Sequence, residues 1–367
     1  GGVAVTPPIL GRTKAEAGFG DPALQQNDRQ GESNGFAFAG AGRLTVAAVA
    51  EETFTPPTSD SAPASAARAR RFWLRTLAVV ALIVLGFVGW HYGVELPAER
   101  RAAAELAKQR VDNARTIADL KLDLVWLAPG TFRMGTPGQN PVVRWFYERR
   151  EKLMHTPDPG NVGSDDERPV TWVTLTRAFW LGRTEVTQAQ WTAVMASNPS
   201  NIKGDDLPVE SVSWDDAMEF CRRLTERERT AGRLPTGYAY TLPTEAQWEY
   251  ACRAGTTGEY AGDIGAMAWT GENSGNTTHA VGTKRPNVWG LADMSGSVWE
   301  WCLDWYGDYR GGEVTNPRGP ASGSNRVNRG GSWFLEAAIA RSAFRNGDSP
   351  GIRYHALGFR LSLSSVP

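Results

Sequence analysis

Hydrophobic positions are spread unevenly along this chain of 367 residues. Residues 1–71 carry no sustained apolar period and read as a disordered N-terminal region, with Thr55–Ala66, rich in Pro, Ser and Ala, as its linker. One long apolar run follows. From Phe72 to Val94 the only charge is Arg75, near the end, where a long side chain can reach the interface. A run of this length crosses a hydrocarbon core of about 30 Å. Phe72, Trp73, Trp90 and Tyr92 stand where interfacial aromatic belts fall. The pattern therefore predicts a transmembrane helix over 72–94, in contact with the lipid bilayer. Arg68, Arg70 and Arg71 precede it, whereas Arg100 and Arg101 beyond it are offset by Glu95 and Glu99. This bias places the N-terminus in the cytoplasm and the C-terminal domain outside, as a single-pass membrane protein.

Residues 95–121 are rich in Ala, Glu, Arg and Lys and predict a helical stalk with a weak stripe of Leu106, Val111, Ile117 and Leu120. The texture changes from residue 122. Two short strands flank a Pro-Gly turn within 125–135, and the alternation in 170–176 predicts another strand. Phe179 opens a strand that leads into a helix capped by Thr187 with Gln190. Ser213 with Asp216 starts a second helix, whose stripe Trp214, Ala217, Cys221 and Leu224 has helical spacing. Thr244 with Gln247 starts a third, carrying Trp248, Ala251 and Cys252. After Gly255 no long period recurs, and the last predicted strand is 357–363.

That irregular remainder needs anchors, and Asn287–Trp301 supplies them. Trp289, Trp299 and Trp301 have too much apolar area to idle in solvent. Asp293 and Glu300 lie among them, and Gly290 and Gly296 allow sharp bends. The 40 glycines and 15 tryptophans fit such a loop-rich globule better than a helical bundle. A net charge of −1 excludes an electrostatic nucleic-acid partner. The three cysteines, Cys221, Cys252 and Cys302, match no zinc spacing, and the simplest reading buries them as small apolar residues; an odd number also leaves room for one disulfide among them.

Several motifs together resemble one family. They are 129–135 (Pro-Gly-Thr-Phe-Arg-Met-Gly), Glu185–Trp191, Pro208–Ala217, Leu242–Arg253, Asn287–Leu291, Met294–Trp301, Arg329–Trp333 and Gly358–Leu361. In this order and spacing they resemble the formylglycine-generating enzyme (sulfatase-modifying factor) family. The resemblance implies an α+β fold: an irregular, loop-rich C-type-lectin-like domain over 122–367. Fold alone does not give activity. The enzymes of the family use a cysteine pair after the Gly-Gly-Ser motif, and thiolates there bind copper and the substrate sulfur. Here 330–345 holds no cysteine and none follows Cys302, so neither catalytic residues nor copper are expected. The branch of the family that uses a three-histidine iron site also lacks a counterpart among His91, His155, His279 and His355.

The tail Arg326–Leu361 is similar instead to the variable region of diversity-generating-retroelement proteins. Adenine mutagenesis of asparagine codons cannot produce Lys, Gln, Glu, Met or Trp. Between Trp333 and Leu361 none of these occurs except Glu336. Within a variable segment 334–356, Phe334, Leu335, Ile339, Phe344, Asn346, Gly347, Asp348, Ile352, Tyr354, His355 and Ala356 follow no strand or helix period. They read as contacts for an unknown protein or surface ligand, held by Arg341, Arg345, Arg353, Gly331 and Trp333. The resemblance also implies a structural calcium site formed by Asp293, the carbonyls of Gly296 and Val298, and Glu300; hard oxygen donors suit that ion. The expected function is a membrane-anchored, receptor-like display protein. The alternatives are a divergent sulfatase-modifying oxidoreductase and a structural cap without a specific ligand.

Overall fold

The computed structural model describes residues 64–90, 96–136 and 165–366. The chain divides into two units, Gly1–Leu74 and Arg75–Pro367, and every strand among the described residues lies in the second. Most of the region 1–71 predicted to be disordered lies outside the described residues. Its last part does not match the prediction, because helix α1 begins earlier, spanning Ala64–Trp90. Among the described residues no helix is long and apolar enough to cross a membrane. The side chains described from Phe72 to Phe87 are nevertheless exposed all around α1. Residues 91–94, the end of the predicted span, and residue 95 lie outside the described set.

The stalk is shorter than its composition suggests. Helix α2 covers Leu96–Asp112 and is largely exposed. Strand β1, Arg115–Ile117, then pairs antiparallel with β2, Leu122–Leu127. Ile117 and Leu120, assigned to a stalk stripe, are 5% and 6% exposed and belong to the core. Residues 113–121 are therefore part of the globular domain: β-branched and apolar residues there find a sheet edge that an isolated helix cannot offer.

Among the described residues three sheets make up the domain. β3 is Gly130–Met134, β4 Thr171–Leu175, β5 Phe179–Gly182, β6 Tyr238–Thr241, β7 Trp299–Trp305 and β8 Gly312–Thr315. β9 is Arg326–Arg329, β10 Arg345–Asp348, β11 Leu357–Gly358 and β12 Ser362–Ser365. The sheet orders are β1-β2-β5-β12-β6, β10-β9-β7-β11 and β3-β4-β8. β2 and β3 flank the Pro-Gly turn as predicted but enter different sheets. The single C-terminal strand expected at 357–363 is likewise two strands in two sheets. The buried Phe359, Arg360 and Leu361 form the crossing between them.

The helices start where their capping boxes predict. α3 (Gln188–Met195), α4 (Trp214–Thr230) and α5 (Glu245–Arg253) each carry the reciprocal side-chain and backbone bonds, at Thr187/Gln190, Ser213/Asp216 and Thr244/Gln247. One short helix, α6, follows at Ile264–Met267. Cys221 sits in the core with Phe220, Trp191 and Phe359, and Cys252 packs with Trp248 and Leu291.

The tryptophan-rich stretch is the junction. Trp301 is fully buried and its Nε1 donates to the Val212 carbonyl at 3.0 Å. Gly296 has φ +74°, and a Cβ there would lie 2.1 Å from the Trp269 carbonyl oxygen, so the chain can pass only with glycine. Arg360 fills the centre. Its guanidinium pairs with both oxygens of Glu300, the Nε–Oε2 distance being 2.6 Å, and donates to the carbonyls of Gly182, Ala292 and Asp293. Trp248 Nε1 donates to the same Glu300 Oε2 at 2.7 Å.

Candidate functional site

Segment 333–356 has little regular structure, yet it is held on both sides. Arg341 forms a bidentate pair with Glu167, at 2.9 and 2.7 Å. Arg345 forms another with Glu245, both bonds at 2.7 Å. Arg353 meets Asp216 at 2.8 Å on the surface. Planar guanidinium forks suit this task because two parallel bonds fix orientation as well as distance. The loop after α5 holds the segment's backbone. Tyr260 Oη donates to the Ala337 carbonyl at 2.9 Å, Gly271 N to Leu335 O at 2.8 Å, and Ser274 Oγ to Trp333 O at 2.7 Å. The segment's own Ser342 N donates back to Glu259 O at 2.8 Å.

On this clamped segment, Phe334, Ile352 and His355 are exposed. Phe334 and His355 gather against Trp333, with ring centroids 5.2 to 5.6 Å apart in all three pairs. Ile202, from another loop, packs against the buried cluster of Val298, Trp333 and Ala356; no local pattern in the sequence marks it. Beside this apolar patch lies a polar one. Asn346 Nδ2 donates to Asn328 Oδ1 and Asp348 Oδ2, and Asp348 Oδ2 also accepts from Asn328 and from the Tyr354 hydroxyl. Burial and the neighbouring Asp348 hold the Tyr354 phenol protonated far above its ordinary range. Asn328 joins the network because β9 pairs with β10, Asn346 opposite Asn328; only that register could reveal it.

The other predicted contacts divide. Leu335, Ile339 and Phe344 are half-buried, with one side on the core. Two leave the contact set. Ala356 is 0% exposed, and its carbonyl accepts from Trp299 N at 2.8 Å, so it is interior packing. At Gly347 a Cβ would lie 2.6 Å from the Tyr306 ring. Close approach fixes glycine there, and the position is not free to vary.

The expected calcium donors are only partly brought together. Asp293 is 3% exposed and its Oδ2 accepts from Gly282 N at 2.6 Å. Glu300 instead serves as counter-ion to Arg360. A third carboxylate, Glu185, stands nearby, 1% exposed, and neither of its oxygens accepts a hydrogen bond. Burial, then the charges of Asp293 and Glu300, push its acid well above the usual range. Among the described residues no three His, Cys, Asp or Glu side chains are arranged as a metal cluster. Glu185 is thus the carboxylate here with both oxygens unpartnered, and with Asp293 beside it offers hard oxygen donors that suit a cation such as calcium, next to the Arg360 guanidinium.

Cys221, Cys252 and Cys302 are unpaired and buried, so the disulfide left open by their number does not form. Burial pushes each thiol up, which suppresses the nucleophilic thiolate.

Comparison with known proteins gives this geometry a context. Mouse formylglycine-generating enzyme is 32% identical over 210 residues, covering 52% of this chain and 52% of that protein; the chain thus spans about half the enzyme's length. The chaperone protein LppX of Paenibacillus barcinonensis is 33% identical over 213 residues, 45% of this chain and 73% of that one. Among solved structures, Treponema denticola variable protein 1 superposes with a TM-score of 0.56 at 30% identity, over 68% of this chain and 98% of its own. PvdO of Pseudomonas aeruginosa reaches the same TM-score at 23% identity, over 69% of this chain and 98% of its own, a likeness of fold. The profile of the sulfatase-modifying factor enzyme 1-like domain matches residues 112–364, a range that opens at the end of α2, just before the strand that the fold adds to the predicted domain. The domain from β1 to β12, with its capped helices and tryptophan-rich junction, therefore makes this chain a member of the sulfatase-modifying factor enzyme 1-like family.

Proposed function

We propose that this protein is a membrane-anchored, receptor-like binder and that its face around Trp333, Phe334, Ile352 and His355 contacts a protein or surface ligand. The observation that carries this reading is the combination of exposed aromatic and aliphatic side chains with a backbone clamped by three arginine–carboxylate pairs. Rigid support lowers the ordering penalty on binding, and aromatic anchors supply most interface energy. Exposed side chains can then change without disturbing the fold, which suits diversification of codons 326–361 by a retroelement. Burial of all three thiols favours binding over cysteine-based oxidation. The apolar surface all around α1 and the basic flank of Arg68, Arg70, Arg71 and Arg75 favour a bilayer span over 72–94 with the N-terminus in the cytoplasm. Calcium is assigned to Glu185 and Asp293 with neighbouring carbonyls, and Glu300 remains with Arg360.

The test uses the full-length chain in membranes, with a photoreactive residue at 334 or 352 and a control at 223 on α4. A partner that cross-links at 334 and 352, and whose affinity falls at least tenfold on Phe334→Ala or His355→Ala without loss of melting temperature, supports the reading. Equal cross-linking at 223, or unchanged affinity in both variants, refutes it. At the gene level, a near-copy of codons 326–361 differing at adenines beside a reverse transcriptase gene is expected; a complete locus without one ends the diversification part.

A further inference from the structure

A cavity of about 490 Å³ opens between the β4–β8 pair and the loop after β7, and none of residues 334, 352 and 355 lines it. Its walls are largely apolar, with Met134, Val173, Val314, Pro317 and Pro320 among them. Asp304 lies in its lining and is 4% exposed. Its Oδ2 accepts from Glu245 N at 2.9 Å at the start of α5, while Oδ1 accepts nothing among the described residues. Arg345, also in the lining, is saturated by Glu245. Arg310 and Arg318, by contrast, are exposed in the same lining and form no ion pair among the described residues.

These groups leave one specific vacancy in charge. Asp304 is a nine-tenths-buried carboxylate in the cavity lining that forms no ion pair among the described residues; burial and the Glu245 charge push its acid up to about 7, more than the Arg345 and Arg318 charges pull it down. An ammonium group has three donors and no acceptor, which suits that carboxylate. Two unpaired guanidinium groups suit a carboxylate. The apolar walls take hydrocarbon, and the volume falls within the range of about 300–1,000 Å³ typical of small-ligand sites. We propose that this cavity binds a short apolar peptide, with its terminal ammonium against Asp304 and its carboxylate at Arg310 and Arg318. The site is separate from the face assigned to the macromolecular ligand and does not depend on it.

Isothermal titration of the full-length chain with trileucine at pH 8, where Asp304 is ionised, tests this. Trileucine should bind, N-acetylation should weaken it at least tenfold, and C-terminal amidation should weaken it several-fold. Asp304→Asn should reproduce the loss on acetylation, and Arg318→Ala part of the loss on amidation, each variant being less sensitive than the parent to the matching change in the peptide. Absence of heat at millimolar trileucine, or equal affinity for the acetylated peptide, overturns the proposal. Should Asp304→Asn fail to fold, the Arg318→Ala and amide pair decides by itself: independent, additive losses overturn the proposal and non-additive losses support it.

Discussion

Arg360→Met is the most informative single change in the scaffold. The substitution keeps most of the side-chain volume and removes the charge. Arg360 is 0% exposed, so no water replaces it. Stranding a buried ion-pair partner costs about 3–5 kcal/mol. The carbonyls of Gly182, Ala292 and Asp293 also lose a donor, at about 1 kcal/mol each. The total, roughly 6–8 kcal/mol, approaches the whole stability of an ordinary domain. For a domain of this size it corresponds to a fall in melting temperature of roughly 15–30 °C. Glu185, Asp293 and Glu300 would remain together without their cation. A second change, Glu300→Gln, should therefore recover a substantial part of the loss. Differential scanning calorimetry of the parent, single and double variants measures both effects. A fall of less than about 4 °C for Arg360→Met, or no recovery in the double variant, would refute the idea that this pair organises the junction.

Three further outcomes are expected. Gly347→Val should destabilise by about 1–3 kcal/mol, because its branched side chain meets the Tyr306 ring, whereas Phe334→Ser should change chemical-denaturation stability by no more than about 0.5 kcal/mol; equal effects would place both residues in the same environment. Asp304 is pushed up to about 7 from 3.8 when folded, so the stability it contributes is complete below pH 4 and lost as pH rises towards 7. The loss is on the order of a few kcal/mol, and Asp304→Asn should be relatively more stable as pH rises through that window, a difference that denaturation midpoints at pH 4, 5.5 and 7 will show or exclude. Calcium should raise the melting temperature and EDTA lower it according to the saturation of the site, and Asp293→Ala should abolish the response; no shift at millimolar calcium would remove the ion.

Much of this fold is legible in the residues themselves. The three capping boxes are contained within four residues each, so their helices start where the sequence places them. The family motifs are equally local, and they carry the fold class. The helical spacing of Ile117 and Leu120 extends the predicted stalk past its real end, because the pairing of β1 with β2 that draws this stretch into the core is invisible to a helical period. Alternation persists across 357–363 and predicts a single strand, whereas Arg360 is the point at which the chain leaves one sheet for another. Composition likewise separated the segment 334–356 from its surroundings, but it could not distinguish Phe334 from Ala356 or Gly347.

By itself, then, the sequence determined what depends on neighbours along the chain: helix starts, apolar runs, glycine bends and the absence of cysteine after Cys302. The tertiary structure decided what depends on distance in space. It assigned Glu300 to Arg360, left the Glu185 oxygens without a hydrogen bond, set Asn328 beside Asn346 and placed Asp304 in the wall of a cavity. Charge pairing and burial act through space over a few ångströms, and residues that meet this way can lie more than a hundred positions apart in the chain, as Arg341 and Glu167 do.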